Sequence, residues 1–145
     1  MSVRDIFEKR KQVFTADAIY SLGIQLINIL EKIHAAGLVY NDLNLDNILL
    51  DYGFEIEKDS KDIFENFEVN LIDMSFSTLY IDKKSLQHVG KKTIDAYRGS
   101  VFFSSLNQLK FQTTSRRDDM LSLFYLMIYL FNDCVVQSLK RYIIK

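Results

Sequence analysis

Apolar residues recur at Ile19, Leu22, Leu26, Ile29, Leu30 and Ile33, three or four apart, which is the repeat of a helix with one face turned inward. Thr15 stands where an N-cap belongs, and Phe14 and Ile19 flank it at hydrophobic-staple spacing. Gly37 follows Ala36 and predicts the helix stop, with Leu38 as the apolar residue beyond it. A second helix is predicted over 115–132. Ser115 and Asp118 have capping-box spacing, with Asp in place of the usual Glu, and Asp118 and Asp119 complement the positive end of the helix dipole. From Met120 to Phe131 only Ser122 is polar. A helix apolar on every side needs neighbours all round. The chain predicts few helices to supply them, so the pattern implies either self-association or a piece of a larger domain.

Ile48–Leu50 and Val69–Ile72 read as short strands, and residues 1–13, mixed and charged, as a short helix. Between the strands lies Asp51–Glu68, with seven acidic residues against Lys58 and Lys61. It reads as a solvated insertion in a hairpin, the sharper alternative being an acidic docking loop. Residues 80–98 have the opposite balance, with Lys83, Lys84, Lys91, Lys92 and Arg98 against Asp82 and Asp95. This stretch reads as a solvated loop, with a phosphate- or acid-binding loop as its alternative.

Composition narrows the class. A chain of 145 residues is one domain or part of one, and 48% apolar content supports a folded core. The net charge of −1 gives no global field to draw nucleic acid or an anionic membrane. The longest apolar run, Leu123 to Phe131, falls short of the ~20 residues of a membrane span. Cys134 is the single cysteine, so no internal disulfide forms, which fits an intracellular setting, cytoplasm or nucleus. The N-terminus lacks the apolar stretch of a signal peptide. Proline is absent, and we have no physical account of that.

Two polar blocks carry the chemistry. Val39–Leu50 reads Val-Tyr-Asn-Asp-Leu-Asn-Leu-Asp-Asn-Ile-Leu-Leu, and Asn70–Ser75 reads Asn-Leu-Ile-Asp-Met-Ser. Pairing of the adjoining strands would bring Asp42, Asn47 and Asp73 to one end of a hairpin. Two carboxylates and an amide are hard oxygen ligands, suited to Mg²⁺ beside a phosphate. Asp42, Asn44 and Asp46 also imitate the first half of a calcium loop. That motif fails at Asn47, where glycine is required, and at Gly53, where a bidentate Glu is required.

The first block resembles the catalytic loop of protein kinases, and the second resembles the strand and metal-binding Asp-Phe-Gly that follow it. Arg98-Gly-Ser-Val-Phe-Phe-Ser-Ser-Leu-Asn107 and Ser115-Arg-Arg-Asp-Asp-Met-Leu-Ser-Leu123 are similar to the casein kinase 1 family in particular. Four blocks in order, over residues 15–132, make the resemblance specific. It implies an α+β fold: the large, C-terminal lobe of a protein kinase, mainly helical with short β-hairpins, the small lobe absent. The catalytic loop would be 39–50, the metal-binding loop 73–75, the activation segment 73–107 and the buried helix 115–132. The implied reaction is transfer of the ATP γ-phosphate to a serine or threonine of a protein substrate, with Mg²⁺. By the same resemblance Asp42 is the catalytic aspartate and Asn47 and Asp73 are Mg²⁺ ligands. Asp119 braces the catalytic loop from below, and His34 is structural. Ser100 replaces a threonine whose hydroxyl lies near the catalytic aspartate.

Departures from the pattern carry expectations of their own. Tyr40-Asn41 replaces His-Arg, so no cation awaits a phosphorylated activation loop. Asn44 replaces a lysine near the transferred phosphoryl group, and losing one transition-state donor costs about 10²–10³ in rate. Met74-Ser75 replaces Phe-Gly, and serine lacks glycine's freedom at positive φ. Phe102 replaces a residue that is often basic and reads phosphorylated substrates. Only fourteen residues precede the first long helix, so the glycine-rich loop, the strand lysine and its glutamate partner are expected to lie outside the chain. The expectation is that the 145 residues alone have low or no activity. The alternative is a pseudokinase-like binding module whose exposed lobe faces are covered by a protein partner.

Overall fold

A computed structural model describes residues 1–9, 15–51 and 67–143. The order of elements is α1 (Val3–Lys9), α2 (Ala16–Ala35), β1 (Leu38–Val39), β2 (Ile48–Leu50), β3 (Val69–Leu71), β4 (Thr78–Leu79), α3 (Leu106–Leu109) and α4 (Arg116–Ile143). The result is a mixed helix and strand fold in which helices dominate.

Helix α2 begins and ends where its sequence predicts. The Thr15 hydroxyl accepts the Ala18 N–H at 3.2 Å, satisfying one of the orphan donors of the first turn. At the other end Gly37 adopts φ +81°, the left-handed region that glycine enters without steric cost. Phe14, the staple partner of Ile19, lies outside the described residues.

Helices α2 and α4 run antiparallel, with the Tyr20 and Phe131 rings 5.2 Å apart at one end and His34 against Asp119 at the other. Gly23 explains their close approach, since a Cβ there would stand 2.8 Å from the Met127 methyl. Ile19, Leu22, Leu26 and Leu30 of α2 and Leu123, Leu126 and Leu130 of α4 form the middle of the core. Tyr40, Leu43 and Leu45 join it from the loop between β1 and β2, and Ile48 from β2. Each such side chain contributes about 1.5–3 kcal/mol by leaving water.

The predicted hairpin forms, with β2 antiparallel to β3 and Ile48 opposite Leu71, Leu49 opposite Asn70 and Leu50 opposite Val69. Its acidic insertion, apart from the ends, lies outside the described residues. A second pair, β1 with β4, was not legible in the sequence, because two residues per strand carry no periodicity. The N-terminal segment docks on the hairpin. Leu50 N–H donates to Met1 O at 2.9 Å, and Arg4 Nε donates to both Asp46 carboxylate oxygens at 2.7 Å.

The helix predicted over 115–132 extends to Ile143, and it is not enclosed on all sides. One face, with Asp118, Asp119, Ser122, Leu123, Leu126 and Leu130, is buried. Met120, Phe124, Tyr125 and Ile128 are exposed, because the described elements cover only the inner side. Its capping box is half made. The Asp118 carboxylate accepts the Ser115 N–H at 2.8 Å, but the Ser115 hydroxyl turns to that carboxylate as well, at 3.2 Å.

Candidate active site

The loop after β1 is held from beneath by a buried carboxylate. Asp119, 1% exposed at the start of α4, accepts the N–H groups of Tyr40 and Asn41 and the Nε2 of His34, each at 2.8 Å. A carboxylate taken out of water needs partners of this number and quality. They fix two successive peptide groups just ahead of Asp42. Asn41 takes φ +71° there, a region that Asn tolerates better than other side chains that carry a Cβ.

Above the brace, Asp42 is buried and receives three donors. Its carboxylate accepts Asn47 Nδ2 at 2.8 Å, Asn44 Nδ2 at 3.1 Å and the Ser100 N–H at 2.6 Å. The Ser100 contact is made by backbone, and the Ser100 hydroxyl makes no hydrogen bond to Asp42. Asn44 also closes the loop on itself, its Oδ1 accepting the N–H groups of Asp46 at 2.9 Å and Asn47 at 3.1 Å. An amide suits this position because it donates and accepts at once.

Asp73 arrives from β3. The Ile72 N–H donates to Asn47 O at 2.9 Å, which sets the two blocks side by side. Asp73 is exposed, at φ +60°, and its Oδ1 accepts the Ser75 N–H at 3.0 Å. Hydrogen bonds from the Ser75 side chain and backbone hold its pKa below the ordinary 3.8. The left-handed residue of this turn is Asp73 itself, and Ser75 needs no positive φ. Asn47 spends its Nδ2 on the Asp42 carboxylate at 2.8 Å and the Asp42 carbonyl at 3.1 Å, so its Oδ1 is the atom it could turn to a metal. An amide oxygen and an ionised carboxylate at the ends of adjoining strands are the donor types that suit Mg²⁺, which takes one or two protein oxygens and completes its shell with phosphate and water. Among the described residues no group of three or more His, Cys, Asp or Glu forms a ready-made metal cage.

Three contributors were missed in the sequence. Tyr40 is fully buried and donates its hydroxyl to Ile72 O, tying the two blocks together. Burial, and next the charge of Asp42, push its pKa well above the ordinary 10.0, so it stays a donor. Gln108 is buried, donates to Asn41 O at 2.7 Å and Arg98 O at 3.1 Å, and accepts the Ser105 N–H at 2.9 Å. Its signal was present, since Ser105 and Gln108 have capping-box spacing and form one. Gly99 is the third. At φ +91° it lies so close to the loop that a Cβ would stand 2.2 Å from Asn41 O.

Asn41 is a neutral hub. Its Nδ2 donates to Phe76 O and Thr78 Oγ1, both at 2.9 Å, and its Oδ1 accepts the Thr114 hydroxyl at 2.6 Å. Thr78 and Thr114 also line a cleft of about 850 Å³ beside the loop, together with Lys83, Lys84, Lys92 and Arg98. Asp82 in the same cleft is occupied by the N–H groups of Lys84 and Ser85. Phe102 is largely exposed.

Comparison with known proteins gives this geometry a family. The chain is 32% identical over 130 residues to casein kinase 1-like protein HD16 of Oryza sativa subsp. japonica, a match covering 89% of this chain and 17% of that protein. It is 29% identical over 132 residues to a "Probable casein kinase I homolog" of Encephalitozoon cuniculi, covering 90% of this chain and 36% of that protein. It is 29% identical over 128 residues to casein kinase I homolog 1 of Saccharomyces cerevisiae, covering 88% and 22%. No protein-family model matches the chain. The chain is thus a relative of protein kinases. Within them it is related, over close to nine-tenths of its length, to the casein kinase 1 family. It spans between 17% and 36% of the length of these relatives.

Proposed function

We propose that this chain is the central part of the large lobe of a casein kinase 1-type serine/threonine protein kinase, with Asp42 as its catalytic aspartate. The observation that carries the reading is the cradle around Asp42: two amides and a backbone N–H on its carboxylate, and Asp119 bracing the loop beneath. A carboxylate offers about four lone-pair sites. Three are used, which leaves about one to orient a substrate hydroxyl and take its proton. Asn47 Oδ1 and Asp73 would hold Mg²⁺, which neutralises phosphate charge in this chemistry. Ser100 acts through its N–H as a positioning residue for Asp42. The cationic cleft of Lys83, Lys84, Lys92 and Arg98 suits acidic residues of a protein substrate. The reading implies ATP as phosphoryl donor and an intracellular setting.

Asn44 argues for weak chemistry. The lysine of the family pattern would offer a cation to the phosphoryl group, whereas Asn44 commits its amide to Asp42. We therefore expect phosphoryl transfer by the 145-residue chain to be low or absent. The same observation supports the second reading, a pseudokinase-like module that binds a protein partner. Calorimetry with Mg²⁺-ATP tests the metal site: heat of binding in the wild type and its loss in Asp73→Ala are expected, and identical flat traces would sink it. A radiolabel transfer assay tests the chemistry. Asn44→Lys should raise any Asp42-dependent transfer about 10²–10³-fold. Robust transfer by the wild type, abolished in Asp42→Ala, would overturn the expectation of low activity. Transfer absent even in Asn44→Lys would favour the binding module.

A further inference from the structure

Of the three donors on the Asp42 carboxylate, the Ser100 N–H is the nearest, at 2.6 Å. It shares Oδ1 with Asn44 Nδ2, whereas Oδ2 takes Asn47 Nδ2 alone among the described residues. Each carboxylate oxygen has about two lone-pair sites, so the open one lies on Oδ2. The peptide that carries the Ser100 N–H is held from both sides. The carbonyl before it, Arg98 O, accepts Gln108 Nε2 at 3.1 Å, and the carbonyl after it, Ser100 O, accepts the Ser104 hydroxyl at 2.6 Å. The Ser104 N–H closes the same turn on Val101 O at 3.3 Å. Ser104 is buried, so water is a poor substitute for its hydroxyl. That hydroxyl has one hydrogen, and a carbonyl can only accept, so the hydrogen is spent on Ser100 O. The Tyr97 hydroxyl, which meets Ser104 Oγ, is therefore the donor of that pair. The Tyr97 ring is itself steadied edge-on by Phe111, with centroids 6.0 Å apart.

We propose that Ser104, backed by Tyr97, is a positioning residue for Asp42. It keeps the Ser100 N–H on Oδ1 and so leaves Oδ2 as the oxygen open to a substrate hydroxyl. The relay runs from the Tyr97 hydroxyl to Ser104 Oγ, from Ser104 to Ser100 O, and from the Ser100 N–H to Asp42. Hydrogen bonds linked in this way polarise one another, which strengthens the last of them. Without the Ser104 hydroxyl the Ser100 peptide gains freedom to turn, Oδ1 loses its nearest donor, and the choice of oxygen facing a substrate is no longer fixed. The part this plays in phosphoryl transfer rests on the reading of Asp42 as the catalytic aspartate. The geometry does not, and its test needs neither ATP nor metal.

Proton–nitrogen NMR and amide exchange of the purified chain test it, with far-UV circular dichroism as the control for folding. A short bond to a carboxylate deshields an amide proton, so Ser100 should resonate downfield in the wild type. Ser104→Ala should move that proton upfield and speed its exchange about fivefold. The Tyr40 and Asn41 N–H groups, held separately by Asp119 at 2.8 Å, should keep their shifts and rates. This contrast is the signature of positioning, because a residue that only supports the fold would loosen both sets together. Should Ser104→Ala lose its helical signal, Tyr97→Phe takes its place, with Ser100 exchange expected to rise about twofold as the relay loses its outer donor. A Ser100 amide with its wild-type shift and rate in the folded variant, or one that changes only in step with Tyr40 and Asn41, would overturn the proposal. Either result would strike Ser104 alone and leave the kinase reading to the transfer assay.

Discussion

Replacing Asp119 by alanine is the sharpest test of how the loop around Asp42 is built. The substitution strips the acceptor from two backbone N–H groups and from His34 Nε2, all within 2.8 Å of the carboxylate. Asp119 is 1% exposed and His34 is 9% exposed, so water cannot readily step in. Each buried donor left unpaired costs about 1–3 kcal/mol, and breaking a buried charged network by removing one partner costs about 3–5 kcal/mol. Taking about 4 kcal/mol, and a urea slope of about 2 kcal/mol per molar for a small domain, the unfolding midpoint should fall by about 2 M. Asp119→Asn keeps one acceptor and turns an NH₂ toward a donor, so it should lose about half as much. Urea titration followed by circular dichroism measures both. A fall below ~0.5 M for Asp119→Ala, with an unchanged slope, would show that the loop is held by its other contacts and refute the brace.

Three further outcomes follow from the same geometry. Gly99→Ala puts a Cβ 2.2 Å from Asn41 O and strains a residue at φ +91°. It should cost about 2–4 kcal/mol, and thermal melting within ~2 °C of wild type would contradict this. Gln108→Leu leaves Asn41 O, Arg98 O and the Ser105 N–H without their partner, at a cost of about 2–4 kcal/mol. Amide exchange at Ser105 should speed up, and unchanged protection there would argue against Gln108 as the acceptor that holds it. Asp73 should titrate below 3.8, since Ser75 favours its charged form. Its stabilising contribution is complete above the unfolded pKa and disappears as pH falls through the lower folded value. Carbon-detected NMR of the carboxyl should show the midpoint rising toward ordinary in Ser75→Ala, where the side-chain bond is lost and the backbone bond stays.

Much of the scaffold was legible because local rules set it. The apolar repeat from Ile19 to Ile33, the Thr15 cap and the Gly37 stop specify α2 through interactions a few residues apart. The hairpin of β2 and β3 followed from two short apolar runs, and their pairing brings Asn47 beside Ile72 and Asp73. The sequence by itself therefore determined these elements and, through motif order, the kinship to casein kinase 1. It did not determine what each polar side chain touches. Asn44 reads as a missing cation, yet only packing shows that its amide is spent on Asp42 and on two N–H groups of its own loop. Ser100 reads as a hydroxyl, and the tertiary structure uses its N–H instead. Gln108 and Gly99 matter because residues 58 to 67 positions away come within a few ångströms of them. The exposed side of α4 is of the same kind. Its sequence shows only that the helix is apolar all round, while which face α2 covers and which stays bare depends on how the two helices cross. Caps and repeats are short-range and can be read along a chain. The satisfaction of buried donors and the cover of apolar faces are long-range, and only the folded arrangement decides them.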